Sequence, residues 1–179
     1  MVRLLINNGV DLKAKTDIPH KSPIQLAAAG GHIEVMEELV KHGVNWKEKD
    51  DWGWTLLHEV AATGDLEGIR WVTARSNTMT NIADKLGRTP LLTALIAGAK
   101  VEAVEELLNN GEEVTEEDEV GRTCAEAAIL YCSVEVIKVI LEATKEIDDI
   151  EVDIDKLILI SDDHSKPEIV KNMIEAAFG

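Results

Sequence analysis

The chain alternates short apolar stretches of helical spacing with polar, turn-rich ones. Ser22, Thr55, Thr89 and Thr123 each stand just before an apolar stretch, where a hydroxyl can accept a hydrogen bond from an otherwise unpaired amide of the first helical turn. Pro23 and Pro90 follow two of them, and proline suits a first turn because the amide it lacks would go unpaired there. Gly31, Gly64 and Gly98 come about two turns later, placed to end that helix with a positive φ. Gly43 and Gly111 can do the same for a second helix, and residues 43–55 are polar and turn-forming. The pattern predicts pairs of short helices separated by exposed loops.

These units recur at a fixed period. Asp17-Ile-Pro-His-Lys-Ser-Pro-Ile24, Asp50-Asp-Trp-Gly-Trp-Thr-Leu-Leu57, Asp84-Lys-Leu-Gly-Arg-Thr-Pro-Leu91 and Asp118-Glu-Val-Gly-Arg-Thr-Cys-Ala125 share the pattern Asp-x-x-Gly-x-Thr-Pro-Leu, and their starts are spaced 33, 34 and 34 residues. Such a period marks a stacked array. Ser22-Pro-Ile-Gln-Leu-Ala-Ala28 and Thr55-Leu-Leu-His58 resemble the Thr-Pro-Leu-His-x-Ala motif of ankyrin repeats. Gly31-His-Ile-Glu-Val-Met-Glu-Glu-Leu-Val40 with Gly43, and Val104-Glu-Glu-Leu-Leu-Asn-Asn-Gly111, are similar to that family's second helix and following turn. The resemblance covers nearly the whole chain and implies an all-α solenoid of stacked helix-turn-helix repeats with β-hairpin or loop fingers.

In that register, 1–179 is one repeat domain: a partial repeat over 1–16, full repeats over 17–49, 50–83, 84–117 and 118–150, and a degenerate C-terminal capping repeat over 151–179. Leu4, Leu5 and Gly9 carry the partial repeat. Leu157 to Ile160 stands for the first helix of the last unit, and Pro167, Ile169, Val170, Met173 and Ile174 supply its second. An end unit is expected to present a polar outer side, because each repeat buries its apolar face only against neighbours. Where the pattern has glycine at the finger tip the first full repeat has His20, which predicts a distorted finger there. Ser76-Asn77 and Cys132 replace other turn glycines, and the third repeat carries one extra residue near Ala99-Lys100.

Charge narrows the partners. The chain has 18 Lys and Arg against 34 Asp and Glu, a net charge of −16, which repels a polyphosphate and argues against nucleic acid. No apolar run approaches the roughly 20 residues that span a bilayer, and Met1 to Lys15 has no signal-peptide pattern, so no membrane insertion is expected and an intracellular, cytoplasmic or nuclear, protein is. Cys124 and Cys132 are too far apart on a helix for a disulfide and read as packing residues. The five histidines, His20, His32, His42, His58 and His164, show no metal-ligand spacing, and there is no phosphate loop or nucleophile elbow, so neither enzyme activity nor a cofactor is expected.

The resemblance implies protein or peptide binding through the fingers and the concave helix surface, by a monomer. The informative residues are then those the repeat leaves free. The third position of each repeat holds Pro19, Trp52, Leu86 and Val120, and the fifth holds Lys21, Trp54, Arg88 and Arg122. Apolar residues at exposed tips are unexpected, and Trp and Arg are enriched in binding hot spots. Trp52, Trp54, Leu86, Arg88, Val120, Arg122 and Tyr131 are the candidate contact residues, with Leu130 beside Tyr131. The competing reading has Trp52 packing on the neighbouring finger and the fifth-position cations pairing with local carboxylates. Trp71 and Trp46 are expected to pack. Acidic runs at 112–119 and 148–155 are expected to be solvated or to steer a basic segment of the partner. The alternative function is a structural or autoinhibitory segment masking part of a larger protein, which a partial first repeat would suit.

Overall fold

A computed structural model describes the chain apart from residues 1–3, 5, 7, 18, 77, 148–151, 163, 164 and 166. Leu5, Asn77, His164 and the first half of the 148–155 acidic run therefore lie outside the described residues. The hydroxyl-capped stretches are helices: α1 (Pro23–Ala29), α3 (Leu56–Thr63), α5 (Pro90–Ile96) and α7 (Cys124–Tyr131). Thr55, Thr89 and Thr123 accept from the amides of His58, Leu92 and Glu126, as the capping argument requires. Each is followed by a second helix: α2 (Ile33–Lys41), α4 (Leu66–Thr73), α6 (Val101–Asn109) and α8 (Val134–Lys145). A last pair, α9 (Ile154–Ser161) and α10 (Pro167–Phe178), follows, with Asp153 capping α9.

The first helices stack in chain order on one another, α1 on α3 on α5 on α7 on α9, and the second helices form a parallel layer. Neither layer could be stable alone. Ile24, Leu57, Leu91, Leu95 and Ile129 from the first helices meet Met36, Ile69, Leu107, Ile137 and Ile140 from the second in one continuous core. Cys124 and Cys132 are both buried and form no disulfide, and Cys132 Sγ donates to the Leu95 carbonyl at 3.2 Å. Burial pushes their thiols up to about 12 and about 11, so they behave as inert packing groups.

The fingers are tight loops, with no strand among the described residues. In three of them one aspartate makes the turn: Oδ1 of Asp50, Asp84 and Asp118 accepts the amides of the third and fifth residues, and each aspartate's own amide donates to the fifth carbonyl. His20 takes φ 56°, the left-handed region that Gly53, Gly87 and Gly121 occupy at the same position, so the first finger departs from the others in its closing residue and not at its tip. There Thr16 replaces aspartate as the closing residue, its Oγ1 accepting from the Lys21 amide and its own amide donating to the Lys21 carbonyl. On the last unit Leu159 and Ile169 are exposed among the charged Asp155, Lys156, Asp162, Glu168 and Glu175.

Glu112, at the foot of the third repeat, is a buried carboxylate whose oxygens accept the Asn81 and Leu91 amides at 3.1 and 3.2 Å. Burial dominates these bonds and pushes its pKa up to about 7 from 4.5. A raised carboxyl favours the fold below its unfolded value, and that contribution is lost as pH climbs from about 4.5 through about 7. Melting temperature compared between wild type and Glu112→Gln should therefore diverge across this window, the wild type losing about 5 °C more. Parallel curves would remove Glu112 as the cause.

Candidate partner-binding surface

The fingers are joined edge to edge. In the first three fingers the carbonyl of the third-position residue accepts from the second residue of the next finger: Pro19 from Asp51, Trp52 from Lys85 and Leu86 from Glu119, at 2.8 to 3.0 Å. This ladder holds the third-position side chains in a row. Trp52, Leu86 and Val120 are 50%, 52% and 78% exposed, so three of the seven candidates form an apolar crest along the fingers. Packing on a neighbouring finger does not hide them.

The fifth-position residues do something else. Trp54 lies half-buried beneath the crest, its Nε1 donating to Asp84 Oδ2 at 3.0 Å and its ring stacked on His58 at 6.0 Å. Lys21 Nζ and the Arg88 guanidinium lie 5.1 and 5.8 Å from its ring, so the indole sits between two cations. Lys21 also pairs with Glu59 at 2.7 Å, and Arg88 holds Asp84 Oδ2 through Nε and Nη2 at 2.9 and 2.6 Å. Arg122 sits 3.8 Å from Asp118 and 5.6 Å from the Tyr131 ring. For these cations local pairing, the competing expectation, describes the geometry.

Trp52 and Trp54, treated together in the sequence, therefore separate. Their rings touch edge to face at 6.4 Å, but only Trp52 is open to solvent, while Trp54 ties three repeats together. At the far end of the array Tyr131 and Leu130, both exposed, extend the surface onto α7. Trp46 and Trp71 lie away from it and pack together at 5.8 Å, as expected, with Arg75 over Trp71.

Three residues that support this surface were not among the candidates. Gln25 and His58, each three positions after its capping residue, reach across to the next repeat, donating to the Trp54 and Arg88 carbonyls at 3.2 and 2.9 Å. His58 Nδ1 accepts from the Thr55 amide, which fixes the neutral tautomer. Burial lowers its pKa further, outweighing the Arg88 carbonyl bond. Glu59 is almost fully buried, and burial raises its carboxyl although Lys21 pulls it down. The shared spacing of Gln25 and His58 from Ser22 and Thr55 was the available signal. Among the described residues no cluster of three or more His, Cys, Asp or Glu could hold a metal ion, and no helix is long and apolar enough to cross a membrane.

Comparison with known proteins agrees with the architecture. A family model for ankyrin repeats, in three copies, matches residues 1–80 and 64–151. The chain is 29% identical over 147 residues, 80% of its length, to a Xenopus tropicalis neurogenic locus notch homolog protein 1, of which it spans only 6%. It is 32% identical over 72 residues, 40% of its length, to Mus musculus ankyrin repeat domain-containing protein 13B, and spans 11% of that protein. Over 64 residues, 36% of the chain, it is 34% identical to the Arabidopsis thaliana potassium channel SKOR, spanning 8% of it. The stacked helix pairs and the extent of the family match together place this chain in the ankyrin repeat family.

Proposed function

We propose that the chain is a non-catalytic protein-recognition module, of the kind ankyrin repeats generally form, that binds its partner along the finger crest. The observation that carries this reading is the row of exposed Trp52, Leu86 and Val120, held in line by the inter-finger hydrogen bonds. An apolar row on a chain of net charge −16 is a place where water is cheaply displaced, and an exposed tryptophan supplies contact area at small entropic cost. Arg122 and Tyr131 extend the contact onto α7, while Trp54 and Arg88 act from beneath by fixing the crest. The module works as a monomer in an intracellular compartment, a setting with which two buried cysteines outside any disulfide agree.

Affinity capture with the chain and with Trp52→Ala, followed by calorimetry on each protein recovered differentially, tests this. Trp52→Ala should keep the wild-type melting temperature and weaken binding by about 2 kcal/mol, about thirtyfold in Kd. Equal affinity for every partner would remove the crest from the binding surface.

A second reading, in which the repeats mask or brace another part of a larger protein, is favoured by α1. Leu26 is 48% exposed, whereas Glu59, Thr93 and Ala127, four residues after their own capping residues as Leu26 is after Ser22, are buried. That face has room for a helix of a neighbouring unit. Leu26→Lys would then weaken association with that unit and leave the Trp52-dependent partner untouched.

A further inference from the structure

Among the described residues the finger ladder stops at the fourth finger. Residues 42–54, 74–88 and 110–122 join one repeat's second helix to the next capping residue and contain the fingers, whereas the shorter segment 146–152, of which 148–151 lie outside the described residues, separates α8 from Asp153. Among the described residues no amide continues the ladder onto the Val120 carbonyl, and Val120 is the most exposed of the crest residues. Beside it, between the fourth finger and the start of α9, lies a cleft of about 210 Å³.

The walls of this cleft have two kinds of surface. Val114, Val152 and Leu157 form an apolar floor, and Glu117, Glu126 and Asp153 bring carboxylates to its rim. One cation of the chain itself enters: Lys156 Nζ sits 2.6 Å from Glu126 Oε1. The Glu117 carboxylate is exposed, with the charge of Lys156 acting on it, and neither it nor the side chains of the neighbouring Glu116 and Glu119 hydrogen-bond a described residue. An apolar floor under a carboxylate rim suits a side chain with an aliphatic stem and a cationic head.

We infer that this cleft and the open side of the fourth finger bind an extended basic segment of a partner protein, with an arginine lying on Val114, Val152 and Leu157 and its guanidinium meeting Glu117 and Asp153. The segment runs beside the finger as a fifth finger would, and its backbone amide takes the Val120 carbonyl. The rim and the acidic 116–119 run draw the segment in. This deepens the recognition reading by giving one end of the crest a chemical preference. It rests on that reading. A partner that loses affinity with Trp52→Ala yet is indifferent to Glu117→Gln would overturn the cleft and leave the crest standing.

Fluorescence anisotropy with an end-blocked, labelled heptapeptide alternating valine and arginine provides the test, beside the same peptide with citrulline for arginine. The arginine peptide should bind at least about tenfold tighter, since citrulline keeps the shape and loses the charge. Glu117→Gln with Asp153→Asn should remove most of that difference; asparagine still caps α9, so the fold is kept. Glu102→Gln with Glu105→Gln removes the same charge from exposed positions on α6 and should change Kd less than about twofold. Should the double variant at the cleft unfold, Glu117→Gln alone must still weaken the arginine peptide about threefold. Equal losses in the two double variants, or no preference for arginine over citrulline, would overturn the inference.

Discussion

Arg88→Ala is expected to cost the fold about 3 kcal/mol, although Arg88 stands in the sequence as a surface contact residue. The Asp84 side chain is 0% exposed, and its Oδ2 receives both Arg88 nitrogens and the Trp54 indole. Removing the guanidinium leaves a buried carboxylate with too few donors, which is more damaging than losing an exposed pair. Urea unfolding measures the loss, and Asp84→Asn in the same chain should restore part of it by removing the stranded charge. The pH dependence gives a second check. Burial alone would raise the Asp84 carboxyl, but Arg88 and the amides of Arg88 and Leu86 outweigh it and hold the pKa below 3.8. A depressed carboxyl contributes stability above its unfolded pKa and loses it as pH falls through the lower folded value. The gap between wild type and Arg88→Ala should accordingly narrow in acid. A difference under about 1 kcal/mol at neutral pH would mean that solvent reaches Asp84 and that Arg88 is free for a partner.

Trp54→Ala should be nearly as harmful, at about 3 kcal/mol. It removes the indole stacked on His58, the bond to Asp84 and the ring between Lys21 and Arg88. Those contacts belong to three successive repeats, so the loss should appear as reduced cooperativity as well as a lower unfolding midpoint. Trp52→Ala, one residue from the same turn, removes an exposed ring and should leave the unfolding curve in place. Equal stability of the two variants would refute the division between crest and support.

Finger two also carries an oxygen that finds no hydrogen-bond donor among the described residues. In fingers three and four the fifth-position arginine turns back toward its own aspartate, but finger two has Trp54 there, and Asp50 Oδ2 is buried without a hydrogen bond. The tryptophan serves the next finger and leaves its own aspartate short of a donor.

Much of this architecture was legible in the chain. Period, capping residues and turn glycines act within a few neighbours, so the helix pairs at 23–41, 56–73, 90–109 and 124–145 follow from local chemistry. The apolar third positions were legible as well, because no local requirement of the turn explains Trp52, Leu86 or Val120. The roles of Trp54, Gln25, His58 and Glu59 were not. Each depends on a group about one repeat away, as Trp54 on Asp84 30 residues on and Glu59 on Lys21 38 residues back. Arg88 differs, because its pairing with Asp84 four residues back was one of the two readings open in the sequence. Pattern along the chain sets which residues repeat. It does not set which of two neighbouring side chains turns toward the next unit.

The sequence by itself therefore determined the repeat, its register and an exposed apolar row, since these rest on hydrogen bonds and periodicities closed within one unit. Only the tertiary structure decided that Trp54 and Arg88 lie beneath the row, that Glu112 is buried, and that the fourth finger ends beside a cleft. Burial and pairing of those groups are properties of the contact between repeats, and that contact exists only once the units have stacked.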